Sequence, residues 1–125
     1  MLEVAPGWSV HVDRGPDWVF VRLSDAGTDA IDHPPLAEML WGLLRRHSAH
    51  RLVVELDEIG LLRSFLIGQL VLLHKRIHAT GGLMRLSGAS DQIADVLRTL
   101  RLDGRFPPYR TRADAVQGFR PPQPR

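Results

Sequence analysis

Ser64 is the residue whose type and position most directly suggest chemistry. It follows a short loop and begins an apolar segment with helical spacing, so it lies where a loop becomes a helix. A hydroxyl there can accept a phosphoryl group, because a helix N-terminus stabilises negative charge and the adjacent Arg63 could pair with the phosphate. The same position also suits an ordinary helix cap, whose oxygen accepts a hydrogen bond from an early helical N–H. Both interpretations remain open.

Apolar side chains surround this serine in the sequence. Leu62 comes before it, and Phe65 and Leu66 follow it. Exposed apolar residues of this kind form contact patches for other proteins, whereas buried ones simply extend the core. We expect a mixture, in which at least one of the three is exposed.

Two further groups carry side chains that could do chemistry. His74 and His78 are four residues apart, a spacing that places both rings on one helix face, as some metal sites do. No third ligand is evident, so we expect a solvated polar face and no bound metal or cofactor. Glu55, Asp57 and Glu58 could act as acids or bases, but no nucleophile or histidine accompanies them. We therefore expect no catalytic residue and no enzyme activity.

Arginines are concentrated near the C-terminal end of the sequence, at Arg98, Arg101, Arg105, Arg110 and Arg112. They could bind an acidic or phosphate-bearing partner, although a solvated face is the simpler explanation. Over the whole chain 16 Lys and Arg are mixed with 14 Asp and Glu, which gives a net charge of +2. Because nucleic-acid-binding proteins usually concentrate positive charge on one face, we expect no nucleic-acid partner.

The sequence of 125 residues contains no cysteine, which excludes disulfides and thiolate chemistry and fits a reducing compartment. No apolar stretch approaches the length of a membrane span, and the first residues lack the pattern of a secretion signal. We therefore expect one cytoplasmic domain over residues 1–119, without membrane insertion. The proline-rich residues 120–125 are expected to form a disordered tail.

The elements that must position these residues alternate between strand and helix patterns. Predicted strands are Trp8–Arg14, Trp18–Leu23, Arg51–Leu56 and Leu83–Ser87, and predicted helices are Leu36–Ser48, Ser64–Thr80, Asp91–Leu100 and Thr111–Phe119. Ser90 and Thr111 are expected N-caps, and Gly81-Gly82 is an expected helix stop. Since helical crossovers imply parallel strands and the first two strands form a hairpin, the sequence predicts an α/β fold. We expect a single mixed sheet of four to five strands with helices packed against it.

The segment from Leu52 to Ile77 resembles the centre of STAS domains. In that family an apolar strand and a short loop lead to a motif similar to Asp-Ser-Ser/Thr-Gly-Leu-Gly at the start of a helix. The residues Arg63-Ser64-Phe65-Leu66-Ile67-Gly68 occupy that position here. Similar segments follow at Thr80–Leu86, at Ser90–Leu102 with the nearby Phe106, and at Ala113–Val116, so the resemblance extends from Trp8 to Phe119.

This resemblance implies a four- or five-stranded sheet backed by helices, and a role in binding other proteins. Many STAS domains are anti-sigma factor antagonists, which bind an anti-sigma factor that is also a serine kinase. Phosphorylation of the motif serine, here Ser64, releases that partner. The partner-binding residues implied by the resemblance are Arg63, Ser64, Phe65, Leu66 and Gly68.

The chain departs from the family motif at three positions. Arg63 stands where the family has an acidic residue, Phe65 where it has a second small hydroxyl residue, and Leu66 where it has glycine. An alternative function is therefore a STAS subunit that is never phosphorylated and stays bound within a larger transport or stress complex. A small ligand-binding protein is a further alternative, and a weak homodimer is compatible with each function.

Overall fold

The computed structural model describes residues 2–5, 7–25 and 33–118. Within them the elements, in chain order, are β1 (Leu2–Ala5), β2 (Trp8–Arg14), β3 (Val19–Asp25), α1 (Leu36–Arg46), β4 (Arg51–Glu58), α2 (Ser64–Ala79), β5 (Leu83–Ser87), α3 (Asp91–Thr99), β6 (Pro108–Tyr109) and α4 (Arg112–Gln117). The predicted tail, residues 120–125, lies outside the described residues.

Within the described residues the strands form a single sheet with the order β1-β2-β3-β4-β5-β6. The strands from β1 to β3 pair antiparallel, and those from β3 to β6 pair parallel. The predicted α/β fold with a mixed sheet is confirmed. The short edge strands β1 and β6, of four and two residues, bring the described sheet to six strands. With two residues, β6 is too short to show a periodic pattern in the sequence.

One face of the sheet carries the main core. Successive residues of a strand point to opposite faces, and Val21, Val54 and Leu86 lie side by side on adjacent strands, each completely buried. They share this core with apolar residues of α1, α2 and α3, such as Leu40 and Leu70. The three crossover helices therefore cover the same face of the sheet.

The second face carries a smaller apolar cluster. Phe20 and Val53 point to this side and pack with Trp18, Tyr109 and Ala115, the last of which belongs to α4. Among the described elements, α4 is the helix whose residues join this cluster. The two faces therefore differ greatly in how much of them is covered by helices.

The helix ends follow the predicted caps. The Ser90 hydroxyl oxygen accepts a hydrogen bond from the N–H of Ile93 at 3.2 Å, and that of Thr111 accepts one from Asp114 at 3.1 Å. The stop after α2 is confirmed as well, because Gly81 has a φ of +80°, a conformation that glycine adopts without strain.

Contacts between α1 and α2 hold the latter in place. The side-chain oxygen of Gln69 accepts a hydrogen bond from the backbone N–H of Ala37 at 2.9 Å, so α2 caps the start of α1. Further along, Arg76 pairs with Glu38 and lies 4.6 Å above the ring of Trp41. These contacts fix the direction of α2, and with it the position of Ser64 at the start of the helix.

Candidate functional site

The structure brings six residues together at the start of α2, and we call this surface the α2 corner. It consists of Trp8, His33, Leu61, Arg63, Ser64 and Phe65. These residues, together with Asp25 and Leu66, line a pocket of about 240 Å³.

Ser64 is the first residue of α2, and its side chain is exposed. The predicted position of the serine, where a loop becomes a helix, is confirmed. Arg63 occupies the cap position in an extended conformation (φ −87°, ψ 158°), and no side chain caps the helix. The interpretation of Ser64 as an N-cap is therefore wrong, because the residue already lies inside the first turn. No hydrogen bond joins its hydroxyl to another described residue.

The start of α2 is electrostatically open to an anion. Its first turn contains no acidic residue, whereas α3 and α4 each combine a side-chain cap with an aspartate in the first turn. Unsatisfied N–H groups and the helix dipole leave partial positive charge at such an end. Arg63 is exposed and has no ion pair within the described part of the chain. Both features favour negative charge beside Ser64, although one acidic residue, Asp25 of β3, lines the same pocket.

Aromatic rings form the wall of the α2 corner. The ring of Phe65 stacks on His33, with centroids 4.5 Å apart and an angle of 12° between the planes. The same ring meets Trp8 edge-on at 5.9 Å. Phe65 is half-buried and so remains partly available to a partner. Trp8 and His33 are far from Ser64 in the sequence, and no sequence pattern connects them to it.

Two of the apolar residues near Ser64 belong to the core. Leu62 is 5 % exposed and Leu66 is 1 % exposed, so the expectation that one of the three apolar neighbours is exposed is met only in part, by half-buried Phe65. The prediction that Leu66 contacts a partner at the surface is wrong, because this residue begins the buried stripe of α2. It supports the corner from below. That stripe comprises Leu66, Leu70, Leu73 and Ile77.

Leu61 is the exposed apolar residue that the sequence analysis missed. Its exposed fraction is 49 %, and it lines the pocket beside Ser64. Its position in the loop before α2, directly after Gly60, was the available signal, because a large apolar side chain in a short loop often remains at the surface.

Gly68 lies one turn beyond Ser64 on α2 and is exposed. A Cβ atom placed on it would meet no atom within 4 Å. Glycine in a helix interior is less favourable than alanine by about 1 kcal/mol. The described fold therefore gives no packing reason for glycine at this position.

The acidic candidates do not form a catalytic site with Ser64. Glu55 is 3 % exposed and accepts two hydrogen bonds from Arg112. It lies on the face of the sheet that α4 covers, whereas α2 packs on the other face. Asp57 and Glu58 are exposed at the end of β4. Glu55 therefore holds α4 against the sheet through Arg112.

The two histidines of α2 stack on each other. The rings of His74 and His78 are 5.9 Å apart and nearly parallel, and Phe106 meets His74 edge-on at 5.1 Å. Burial lowers the pKa of His74, and the charges of Arg105 and His78 lower it further. Among the described residues, no group of three or more His, Cys, Asp or Glu side chains is arranged to hold a metal ion.

The C-terminal arginines differ in their partners within the described residues. Arg98 pairs with Asp95 on the same helix at 2.7 Å, and Arg112 pairs with Glu55 and Asp13. Two of the five arginines are thus engaged in ion pairs within the chain.

Within the described residues, no helix has both the length and the apolar character that crossing a bilayer requires.

Solved structures with the same fold include several anti-sigma factor antagonists. The anti-sigma factor antagonist from Mycobacterium paratuberculosis superposes with a TM-score of 0.73 at 20 % identity, over 94 % of this chain and 97 % of that one. Unphosphorylated SpoIIAA, an anti-sigma factor antagonist of Bacillus, gives 0.67 at 14 % identity, over 90 % and 100 %. The protein TM1081 of Thermotoga maritima gives 0.74 at 17 % identity, over 87 % and 92 %. At these identities the similarity establishes the fold.

No curated protein sequence matches this chain at a significant level. The family model of the STAS domain matches residues 13–115. This range includes the strands from β3 to β6 and every residue of the α2 corner except Trp8. The chain therefore belongs to the STAS domain family.

Proposed function

We propose that this STAS domain is a protein-binding regulator of the anti-sigma factor antagonist type. Its partner is an anti-sigma factor that is also a serine kinase, and the α2 corner is the docking surface. The observation that carries this proposal is the exposed hydroxyl of Ser64, which has no hydrogen-bond partner in the described structure and lies at a helix start with no side-chain cap. The anti-sigma factor antagonists among the structures of the same fold support it.

The corner offers a partner both apolar and charged contacts. Leu61 and Phe65 supply an apolar surface around the pocket, and Arg63, which has no ion pair with another described residue, supplies a cation at its edge. Gly68 continues this surface along α2 and allows a partner to approach the helix backbone closely. In this proposal Arg63, Ser64, Phe65 and Gly68 are contact residues, and Leu66 positions them from the core.

Phosphorylation of Ser64 is the proposed switch. A phosphate carries a charge of about −1.5 to −2 at neutral pH, and the open helix start beside Arg63 would stabilise it without breaking an existing hydrogen bond. The fold would survive the modification. A partner that covers Leu61 and Phe65 would have to desolvate this charge, which is unfavourable unless the charge is paired. Phosphorylation would therefore weaken the complex.

The chain acts in this scheme as a substrate and a ligand of its partner, not as an enzyme. The kinase partner supplies the catalytic residues, and the bacterial cytoplasm, where sigma factors act, is the compartment in which the complex forms. The buried Glu55 is committed to Arg112, which is consistent with a structural use of that carboxylate.

Affinity capture from the native host, with mass spectrometry, tests the docking surface. The wild-type chain and a Leu100→Asp control are expected to capture the same anti-sigma factor, while Leu61→Asp captures at least about tenfold less. The control is matched, because the two leucines are 50 % and 49 % exposed and Leu100 lies at the end of α3. Equal capture by the two variants would place the partner on another surface.

The proposed phosphorylation of Ser64 is tested by incubating the chain with the captured partner and ATP. We expect a phosphate on the peptide that contains Ser64 in the wild-type chain, and none in a Ser64→Ala variant. A stable complex with no phosphate on Ser64 under any condition would instead favour the constitutive STAS subunit of a larger assembly.

A further inference from the structure

A second pocket lies at the opposite end of α2, where α1 and α2 both terminate, and we call it the α1–α2 pocket. Its volume is about 380 Å³, and it is lined by Trp41, Leu44, Arg45, Ser48, Ala49, His50, Ile77 and Thr80. Because α2 has 16 residues, about 24 Å of helix separates this pocket from Ser64. The two sites are therefore independent surfaces of the molecule.

The lining of the α1–α2 pocket combines apolar walls with positive groups at the rim. Trp41 and Ala49 are half-buried and supply the accessible apolar surface, whereas Leu44 and Ile77 are 2 % and 1 % exposed and lie behind it in the core. Arg45 and His50 are exposed at the rim, and neither side chain has a hydrogen bond or ion pair with another described residue. No acidic residue is among the eight described residues that line the pocket.

Positive charge continues beyond the pocket. The segment from Arg45 to Arg51 also contains Arg46 and His47, and Arg14 reaches it from β2 by donating a hydrogen bond to the carbonyl oxygen of His47 at 2.7 Å. Asp17, in the turn after β2, is the acidic residue that lines the adjacent groove. This end of the molecule therefore carries an excess of positive charge.

Helix electrostatics explain only part of this charge. Cations near the end of α1 interact favourably with its dipole, which accounts for Arg45 and Arg46. Arg51 begins a strand and gains nothing from that dipole. The carbonyl oxygens at the end of α1 already accept hydrogen bonds from the N–H groups of residues 47–49, so few open carbonyls face an incoming anion.

We propose that the α1–α2 pocket binds a small amphipathic anion, whose apolar chain lies against the half-buried Trp41 and Ala49 and whose carboxylate pairs with Arg45. A guanidinium binds a carboxylate through two parallel hydrogen bonds, and His50 lies at the same rim. The volume falls within the range of roughly 300–1,000 Å³ found for small-molecule sites. A neutral or cationic ligand would leave the positive rim without a partner. This site does not depend on the function proposed for the α2 corner.

Octanoate is a suitable probe, because it joins a seven-carbon alkyl chain to a carboxylate. In a ¹H–¹⁵N NMR titration we expect saturable shifts of the Trp41 indole N–H and of the backbone amides of Leu44, Ala49 and Ile77. Heptyltrimethylammonium, with the same seven-carbon chain and the opposite charge, is the matched ligand control and is expected to cause no saturable shift. Equal responses to the two ligands would overturn the proposal, and so would the absence of any response to octanoate.

Two neighbouring arginines provide the matched variants. Arg45 lines the pocket, whereas Arg46 is also exposed but does not line it. Arg45→Gln is expected to weaken octanoate binding about tenfold, and Arg46→Gln less than about twofold. Equal loss in both variants, or shifts confined to Arg46 and Arg51, would reduce the effect to general attraction by a basic surface and overturn the proposal. Leu61→Asp is expected to leave octanoate binding unchanged, so failure at one site is distinguishable from failure at the other.

Discussion

Arg112 donates two hydrogen bonds to the carboxylate of Glu55, from Nε to Oε2 and from Nη2 to Oε1, each 2.8 Å long. Its Nη1 also donates to Oδ2 of Asp13 at 3.0 Å, and its guanidinium carbon lies 4.2 Å from the centre of the Phe20 ring. These bonds raise the pKa of Arg112 and lower the pKa of Asp13. One side chain at the start of α4 thus joins that helix to three strands of the sheet.

Removal of this side chain is expected to destabilise the domain. In Arg112→Ala the carboxylate of Glu55, which is almost completely buried, would lose its bidentate partner, with Arg22 Nε, at 3.7 Å, as the nearest remaining cation. A buried charged group without its hydrogen bonds costs about 2–3 kcal/mol. We expect the free energy of unfolding, measured by urea denaturation, to fall by about that amount.

Arg110→Ala is the control for this prediction, since Arg110 is exposed and makes no ion pair in the described structure. Its effect is expected to stay within about 0.5 kcal/mol. Adding Glu55→Gln to Arg112→Ala should restore part of the lost stability, because it removes the unpaired charge. Additive losses in the double variant would show that the two residues do not act as a pair.

A substitution at Gly68 is expected to have opposite effects on the stability of the fold and on partner binding. Gly68→Ala is expected to raise the free energy of unfolding by about 0.5–1 kcal/mol, because the new methyl group meets no atom within 4 Å and alanine favours the helix. If a partner contacts α2 at this point, the same methyl group should weaken the complex. Thermal unfolding and calorimetric titration with the captured partner measure the two effects separately.

Gly42 offers a matched control on α1. A Cβ atom on this residue would also meet nothing within 4 Å, so Gly42→Ala should stabilise the domain to a similar extent and leave partner binding unchanged. Partner affinity that is lost in both variants or in neither would argue against close approach at Gly68.

We expect the domain to lose stability in mildly acidic solution because of His74. Burial lowers its pKa below the ordinary value of 6.5, so the unfolded chain binds this proton more readily than the folded one. Stability therefore rises with pH in this window and is lost as pH falls below about 6.5 towards the folded pKa. Asp13 titrates at much lower pH, since its pKa is lowered from 3.8.

The measurement is the melting temperature at about pH 7.5 and about pH 5.5. His74→Gln is expected to reduce the difference between the two values, while His11→Gln, an exposed change on β2, should preserve it. An unchanged difference in His74→Gln would mean that this imidazole is not the group responsible.

Sequence-based prediction was most accurate for segments whose structure depends on residues close together in the chain. The bounds of β2 and β5 agree with the prediction to the residue. In β2 the cause is the alternation of apolar and polar residues, which marks a strand with one buried face. The caps at Ser90 and Thr111 also depend only on contacts within three residues, which is why local sequence reveals them.

Contacts between residues far apart in the sequence could not be predicted from local patterns. Arg112 and Glu55 are 57 positions apart, and each alone looks like an ordinary charged residue. The stacking of His33 on Phe65 likewise depends on how the chain before α1 meets α2. The start of α2 was predicted correctly, but the sequence left open whether Ser64 is a helix cap or a phosphoacceptor, since one residue decides whether a hydroxyl faces the helix N–H groups or solvent.

A charge at Ser64 is the most direct probe of the proposed switch. Ser64→Asp is expected to leave the melting temperature nearly unchanged, because the start of α2 has no acidic residue and gains a few tenths to about 1 kcal/mol from an anion. The same carboxylate should weaken partner binding, since it must be desolvated beside Leu61 and Phe65. Arg63 can pair with it and reduce this effect, so Ser64→Asp combined with Arg63→Ala should bind more weakly than Ser64→Asp alone. Arg63→Ala alone measures the contribution of the arginine, and titration calorimetry with the captured partner compares all four proteins. Equal affinity throughout would mean that the partner binds elsewhere and that the exposed hydroxyl of Ser64 is not a regulatory site.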